Sequence, residues 1–572
     1  MQYDLIIRNG TVVDGSGMAR YRADVGVAGG RIATIGKIRD QAAEVIDAEG
    51  HIVAPGFIDA HTHMDAQVFW DPIGTCSCWH GVTSVVMGNC GFSLAPCAEK
   101  DKLLVMRNLE RAEDIAPEAM EAGIKWSWET FAQYLDAVDR TPKGINYAAY
   151  MGHSALRTYV MGERAFTDEA TPADLEAMKR EVRDAIRAGA IGFTTSRTRN
   201  HQTPDHKPVA SRLANWEEVR QLVGVMGELN AGVFEIAGED TGLNPERIGD
   251  YLGRLKALAV ESGAPVTFGM FANRKAPDYW RRYFKLADEA AELGGRMFVQ
   301  MLAKIAGVVL SFETHLPFDR MPVWRDIRKL PLAEQEAALR NPELRRKLVA
   351  AAHEEQREES RRPVGAEARV MSYRHMYLMD RTLPPFSSIA QLAQEQGKDP
   401  VDVIIDASLA KGLKQFFFQT IANDDLDMVL EMMRHPRAVP TFTDSGAHVS
   451  QLMDASMQSF MLSYWVRERQ ALTLEEAVRM ITFVPASHWG FSKRGLLREG
   501  WAADVAIFNP DTIIPQLPVL AHDLPAGARR LKQKSTGILA TVVNGKVLMR
   551  NGEHTGALPG KLIRNRLAAN GA

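Results

Sequence analysis

The chain has 572 residues, 46% of them apolar and 24% charged, with a formal net charge of −3 and a pI of about 6.6. These are ordinary globular values that allow a sizeable core, and the lack of a basic excess argues against nucleic acid or an anionic membrane as partner. No run reaches the roughly 18 apolar residues of a membrane helix, and MQYDLIIRNG lacks the cationic start and apolar core of a leader. A cytoplasmic protein acting on a small molecule is expected, and a homo-oligomer is compatible with all of this. The cysteines, Cys76, Cys78, Cys90 and Cys97, cluster too tightly to staple so large a chain and are expected as reduced thiols.

Residues 1–54 read as short β segments with Gly turns (YDLIIRNG, TVVDGSG, ADVGVAGGRIATIG, EVIDAEGHIVAPG), and the far C-terminus repeats that texture in ADVAIFNP and ILATVVNGKVLMRNG. Two such halves predict one composite β domain, from 1–54 plus 496–555, with 55–495 as a separate α/β unit.

That unit opens with an apolar strand, Phe57 to Ala60, ending in His61-Thr62-His63. Side chains alternate along a strand, so His61 and His63 emerge on one face and can reach one ion. Further strands are predicted at Thr83–Gly88, Ile145–Met151, Ile191–Thr195, Gly232–Ala237, Val266–Met270, Met297–Met301 and Val439–Thr443. Helix signals alternate with them: Thr171-Pro172 as N-cap and N1, Asn215 before WEEVRQLVGVM, and Thr473 with Glu476 as a capping box. Parallel βα units closing a barrel are the expected fold, with the site at the C-terminal strand ends, where His61, His63, Cys90 and Asp444 fall.

The gap between the last two strands is too long for one crossover. Its Glu-, Arg-, Leu- and Ala-rich centre predicts two or three solvated helices inserted at about 315–375, over the barrel mouth. Asp444 then opens the turn Ser445-Gly446-Ala447-His448. A carboxylate there can bind a metal and shuttle a proton, although an Asx turn or helix cap is a common use of Asp before Ser-Gly.

The run AEGHIVAPGFIDAHTH resembles the start of the barrel in the amidohydrolase superfamily, and GVTSVVMGNCGFSLAP at 81–96 is similar to its D-aminoacylase branch. The resemblance continues through GHSALRTYVMG, GAIGFTTS and TDSGAHV to the closing WAADVAIFNP and TVVNGKVLMRNG. It implies a (β/α)8 TIM-like barrel with a small β-sandwich domain made from both termini. It implies a metal-dependent hydrolase of an amide bond, foremost N-acyl-D-amino acid deacylation. His61, His63, Cys90 and Asp444 match the family's metal ligands, and Asp444 its catalytic acid/base. Thiolate and imidazole suit zinc.

The sequence departs from that pattern where strands five and six are expected to supply two histidines: Ala237 and Met270 stand there. One ion per chain is therefore favoured over two, with Glu235 either a replacement ligand or a polar barrel residue. Ala272 replaces a carboxylate-binding Lys, and the Arg expected after the catalytic Asp is absent. Substrate contacts are sought instead among His153, Arg157, Ser196, Arg197, His201 and His448, each of which has an equally available structural role. A cyclic amide, carbamate or lactone would suit the same centre, and a non-catalytic binding protein on the same fold is the alternative of another class.

Overall fold

The computed structural model describes residues 2–242, 244–319, 321–355 and 371–569. Eight strands form one parallel sheet in chain order: Phe57–Asp59, Val82–Met87, Asn146–Gly152, Gly192–Ser196, Val233–Ala237, Val266–Met270, Met297–Met301 and Ala438–Pro440. The sheet closes on itself where Phe442–Ser445, continuing the eighth strand, pairs in parallel with His61–Thr62, continuing the first. Asn146–Gly152 is buried at every position, as a strand covered on both faces must be, which is why these strands read as continuous apolar runs rather than alternating ones.

The predicted helix starts are present. Thr171 with Asp174 and Thr473 with Glu476 form reciprocal capping boxes, and Asn215 caps Trp216–Leu229. These helices jacket the strands, and the loops that follow each strand gather at one end of the barrel.

Both chain ends contribute to one sheet beside the barrel. Ile52–Pro55 pairs antiparallel with Val505–Phe508, which pairs in turn with Ile538–Val543. Tyr3–Arg8, Asp24–Ala28, Arg31–Gly36 and Ala42–Asp47 form a second sheet, and the two enclose Ile7, Val27, Val53, Val505 and Val542. The C-terminal segment also reaches the barrel: the hairpin Val519–Ala521/Arg530–Lys532 anchors there through Arg530 to Asp71 (2.8 Å) and through the Leu531 N–H to the Val449 carbonyl (2.7 Å).

Within 315–375 stand three helices, Pro322–Arg328, Leu332–Leu339 and Pro342–Glu355, and the segment between the last two barrel strands extends beyond them and has a core of its own. It contains an antiparallel sheet of Ala306–Leu310, Phe417–Ala422 and Met376–Leu378. Helices Pro322–Arg328, Leu332–Leu339, Pro342–Glu355, Ile389–Gln396 and Pro400–Leu409 accompany it, with a hydrophobic core including Trp324, Leu339, Leu348, Ile389, Val401 and Phe417. The charges that dominate the composition lie on the outer faces and mask these anchors. Part of the predicted stretch, 356–370, lies outside the described residues. Among the described residues no helix is long and apolar enough to cross a membrane.

Candidate metal centre

The closure of the barrel builds the centre. The Thr443 hydroxyl donates to Asp59, and the His63 N–H donates to the Ser445 carbonyl at 2.8 Å, so the ends of the first and last strands are tied together around His61 and Asp444. His61 Nε2 lies 3.5 Å from Cys90 Sγ and 3.4 Å from Asp444 Oδ1, and His63 Nε2 lies 3.3 Å from the same oxygen. Donors about 2.0–2.3 Å from a tetrahedral ion sit roughly 3.3–3.8 Å from one another. His61, His63 and Cys90 each bring one donor atom within 4.8 Å of the others, and Asp444 Oδ1 adjoins both imidazoles.

Neighbouring groups aim the rings. His61 Nδ1 is 2.6 Å from Gln300 Oε1, so Nδ1 carries the proton and the Nε2 lone pair faces the cluster, while Phe442 stacks on the ring with centroids 3.7 Å apart. Three site residues hold left-handed backbone angles: Cys90 (φ 57°), Asp444 (φ 56°) and His448 (φ 46°). Such conformations cost on the order of 1–3 kcal/mol each and persist where the surroundings enforce them. At Cys90 that enforcement includes its N–H, which donates to Glu235 Oε2 at 2.7 Å. Gly91 next to it has to be Gly, since a Cβ would meet the Ser196 amide nitrogen at 2.8 Å.

The donor chemistry fits a cation. Burial pushes Glu235 up to about 7 and raises Glu113 and the Cys90 thiol well above their ordinary ranges. For Asp444 burial opposes ionisation too, but the His61 and His63 imidazoles outweigh it and hold the carboxyl well below the usual range. Acidic groups thus converge in a buried space where, among the described residues, the ion-pair partners of Asp444 and Glu113 are imidazoles alone. Both His63 ring nitrogens and Glu113 Oε1 are buried without a hydrogen-bond partner. A metal ion bound among them would satisfy these groups.

Of the residues sought as substrate contacts, the structure brings His201 and His448 to this centre. His201 Nε2 is 3.9 Å and His448 Nε2 3.8 Å from Glu113 carboxylate oxygens. Ser196 supports His201, its Oγ lying 2.7 Å from Nδ1. His153 and Arg157 are fully buried and taken up by Glu218: His153 Nε2 is 2.8 Å from it, and the Arg157 guanidinium reaches both carboxylate oxygens at 2.7 and 2.5 Å. Arg197 is paired with Glu239 at 2.6 Å. These three side chains are placed to hold loops together, because a carboxylate in the chain already engages each.

Glu113 and Gln300 are the residues that sequence reasoning missed. Glu113 follows helix Lys102–Glu110 on the long connection after the second strand, and its only sequence signal is a position at the C-terminal end of the barrel. A cavity of about 290 Å³ opens from the centre, lined by His201, Phe271, Leu302, Phe442, Asp444 and His448. A larger one of about 680 Å³ shares His448 and Gln451 with it and contains Arg529.

A closed parallel barrel carrying imidazole, thiol and carboxylate donors at its C-terminal strand ends defines a metal-dependent hydrolase of the TIM-barrel class. The chain belongs to the amidohydrolase family, whose sequence pattern it matches over residues 44–549. That makes it a hydrolase of amide C–N bonds. It is 27% identical over 581 residues to a D-aminoacylase of Alcaligenes xylosoxydans xylosoxydans, covering 99% of this chain and 98% of that one. It is 29% identical over 596 residues to an uncharacterized protein of Mycobacterium tuberculosis, covering 97% and 93%. The fold matches that of the N-acyl-D-glutamate deacylase from Bordetella bronchiseptica, solved with zinc and a phosphonate inhibitor, at a TM-score of 0.64 and 24% identity over 99% of this chain and all of that one.

Proposed function

We propose that this amidohydrolase removes the acyl group from N-acyl-D-amino acids, with one zinc ion held tightly by His61, His63, Cys90 and Asp444. The single observation that carries the reading is the convergence of His61, His63 and Cys90 donor atoms within 4.8 Å of one another, with Asp444 Oδ1 3.3–3.4 Å from both imidazoles. When bound, the ion supplies Lewis acidity toward an amide carbonyl and makes water a stronger acid. Asp444 is the one donor that also lines the cavity, its side chain 21% exposed, so its carboxylate can take a proton from the attacking water and return it to the leaving amine. Phe271, Leu302 and Phe442 offer an apolar wall for the acyl chain.

Arg529 supports an acidic substrate. Its guanidinium donates to the Glu313 carbonyl (3.1 Å) and to His315 Nε2 (3.0 Å), both neutral acceptors, and has no ion pair among the described residues. Burial weakens its hold on its proton. A substrate carboxylate reaching across the shared wall from the smaller cavity would give it a directly bonded counter-charge, where Asp114 and Asp319 act only at a distance. The four cysteines are free and buried, in keeping with a reducing cytoplasm.

The test is a hydrolysis screen of metal-loaded protein across N-acyl-D- and N-acyl-L-amino acids, dipeptides, hydantoins and lactones. Turnover confined to acyl D-amino acids is expected. A profile that excludes acyl amino acids would overturn the substrate assignment.

A further inference from the structure

We propose that a cavity at the N-terminal end of the barrel, the end away from the metal centre, binds a phosphate monoester, with Arg296 and Arg566 engaging the phosphate. The cavity has a volume of about 490 Å³, within the usual range for a small-molecule site. It is built where strands four to seven begin: Ile191, Val233, Pro265 and Arg296 stand at the start of these strands or one residue before it. Trp489, the last residue of helix Phe483–Trp489, and Leu567 of the C-terminal segment add to its apolar surface.

The charge of the lining carries the inference. The described residues around the cavity include Arg296, Arg566 and His488 and no carboxylate. Among the described residues the Arg296 side chain has neither hydrogen bond nor ion pair, and Arg566 has no ion pair, its Nε donating only to the Gly490 carbonyl at 3.4 Å. Arg437 differs, since Asp288 holds it at 3.2 Å. Burial, with the Arg296 and Arg437 charges, lowers His488 to about 4, so at neutral pH the uncompensated charge is that of two guanidiniums. Three helices end at the cavity, Trp216–Leu229, Pro245–Ser262 and Phe483–Trp489, with Asn230, Gly263 and Gly490 as their caps. Each such end carries about half a negative charge that fades within a turn. Several of the end carbonyls are also already taken, Gly227 by the Asn230 N–H, Met226 by the Ala231 N–H and Ala486 by the Phe491 N–H. The helix ends favour cations here but do not neutralise two of them.

Charge and geometry select the ligand. A carboxylate balances one guanidinium, whereas a phosphate monoester carries about −1.5 to −2 at neutral pH and offers three oxygens to forked N–H donors. Ile191, Met226, Val233, Pro265 and Trp489 give the organic part of the ester an apolar surface. The site lies at the other end of the strands from amide cleavage and depends on neither the metal nor the acyl substrate.

Metal-loaded, full-length protein is titrated calorimetrically with phenyl phosphate, and in parallel with inorganic phosphate and benzoate. Wild type is expected to bind phenyl phosphate, with inorganic phosphate and benzoate each at least about 10-fold weaker for want of the apolar body or the second charge. Arg296→Met and Arg566→Met should each raise the Kd for phenyl phosphate by about 10- to 100-fold, the worth of a charge-assisted contact. Thermal melting reports folding, and if one variant does not fold the other decides alone. No binding to wild type overturns the proposal. So does binding that both substitutions leave unchanged, which would place the phosphate at the metal centre. Benzoate bound as tightly as phenyl phosphate overturns the assignment to a phosphate.

Discussion

The carbonyl of Glu113 accepts a 2.6 Å hydrogen bond from the peptide N–H of His448, while the Glu113 carboxylate lies 3.8 Å from the ring of the same residue. The loop after the second strand and the turn after the eighth are thus joined twice over, once by backbone and once by side chain. Asp444 stands in that turn, so its position depends on the loop that Glu113 occupies.

Asp444 and His61 are expected to be required for activity but not for folding. Asp444→Asn keeps the shape and removes the proton acceptor, and a loss of roughly 10²–10⁴-fold in kcat follows. His61→Ala should abolish turnover as the donor set falls apart. Both variants should melt cooperatively. Turnover at the wild-type rate in either one would exclude the mechanism.

Arg529→Met is expected to raise KM for acyl amino acids on the order of 10- to 100-fold, the worth of a charge-assisted contact, with a smaller effect on kcat. The matching methyl esters should not feel the substitution. Equal losses on acid and ester would mean that Arg529 supports the cavity wall and not the substrate charge.

Arg157→Met should destabilise the protein by about 3–5 kcal/mol, because it strands the buried Glu218 carboxylate without its cation. Enzyme that remains folded should keep its KM, since Arg157 lies against Glu218 and the Asp168 carbonyl. A selective rise in KM measured well below the melting point would instead return Arg157 to the substrate site.

Acid should weaken the fold through His80. The ring is fully buried, its Nε2–H donating to the Gln533 carbonyl at 3.1 Å and its Nδ1 facing the Ser459 hydroxyl at 2.7 Å, and burial lowers its pKa from 6.5 to about 3. Between those values the unfolded chain takes up a proton that the folded chain refuses. Stability is therefore lost as pH falls from about 6.5 toward 3, by up to about 1.4 kcal/mol per pH unit from this group. Denaturant melts of wild type and His80→Gln across that range check it. The difference between the two should shrink with acid, and a constant difference would acquit His80.

Much of the barrel could be read from the sequence because its strands are buried on both faces and so stand out as short apolar runs between capped helices. His61-x-His63 and Asp444 were legible for a related reason: strand ends carry their side chains to predictable places. Glu113 was not, since a carboxylate on a connection acquires its role only from where the loop folds back, and here that is set by His448, Ser450 and Gln451. His153 and Arg157 misled in the opposite way. Their residue types suit an acidic substrate, but Glu218, on a helix some 60 residues further on, reaches them first. The segment after the seventh strand hid its core because Trp324, Leu339 and Leu348 are few among many charges.

The joint between the first and last barrel strands sets an order of events during synthesis. His61, His63 and Cys90 leave the ribosome early, but the Asp444 carboxylate and the Ser445 carbonyl that holds His63 follow only after more than two-thirds of the chain. A growing polypeptide has no complete cradle for the ion until the ring of strands can shut. A cation bound there would be a late passenger in a finished barrel, and a chain truncated before Phe442 would lack both the Asp444 donor and the strand that closes the ring.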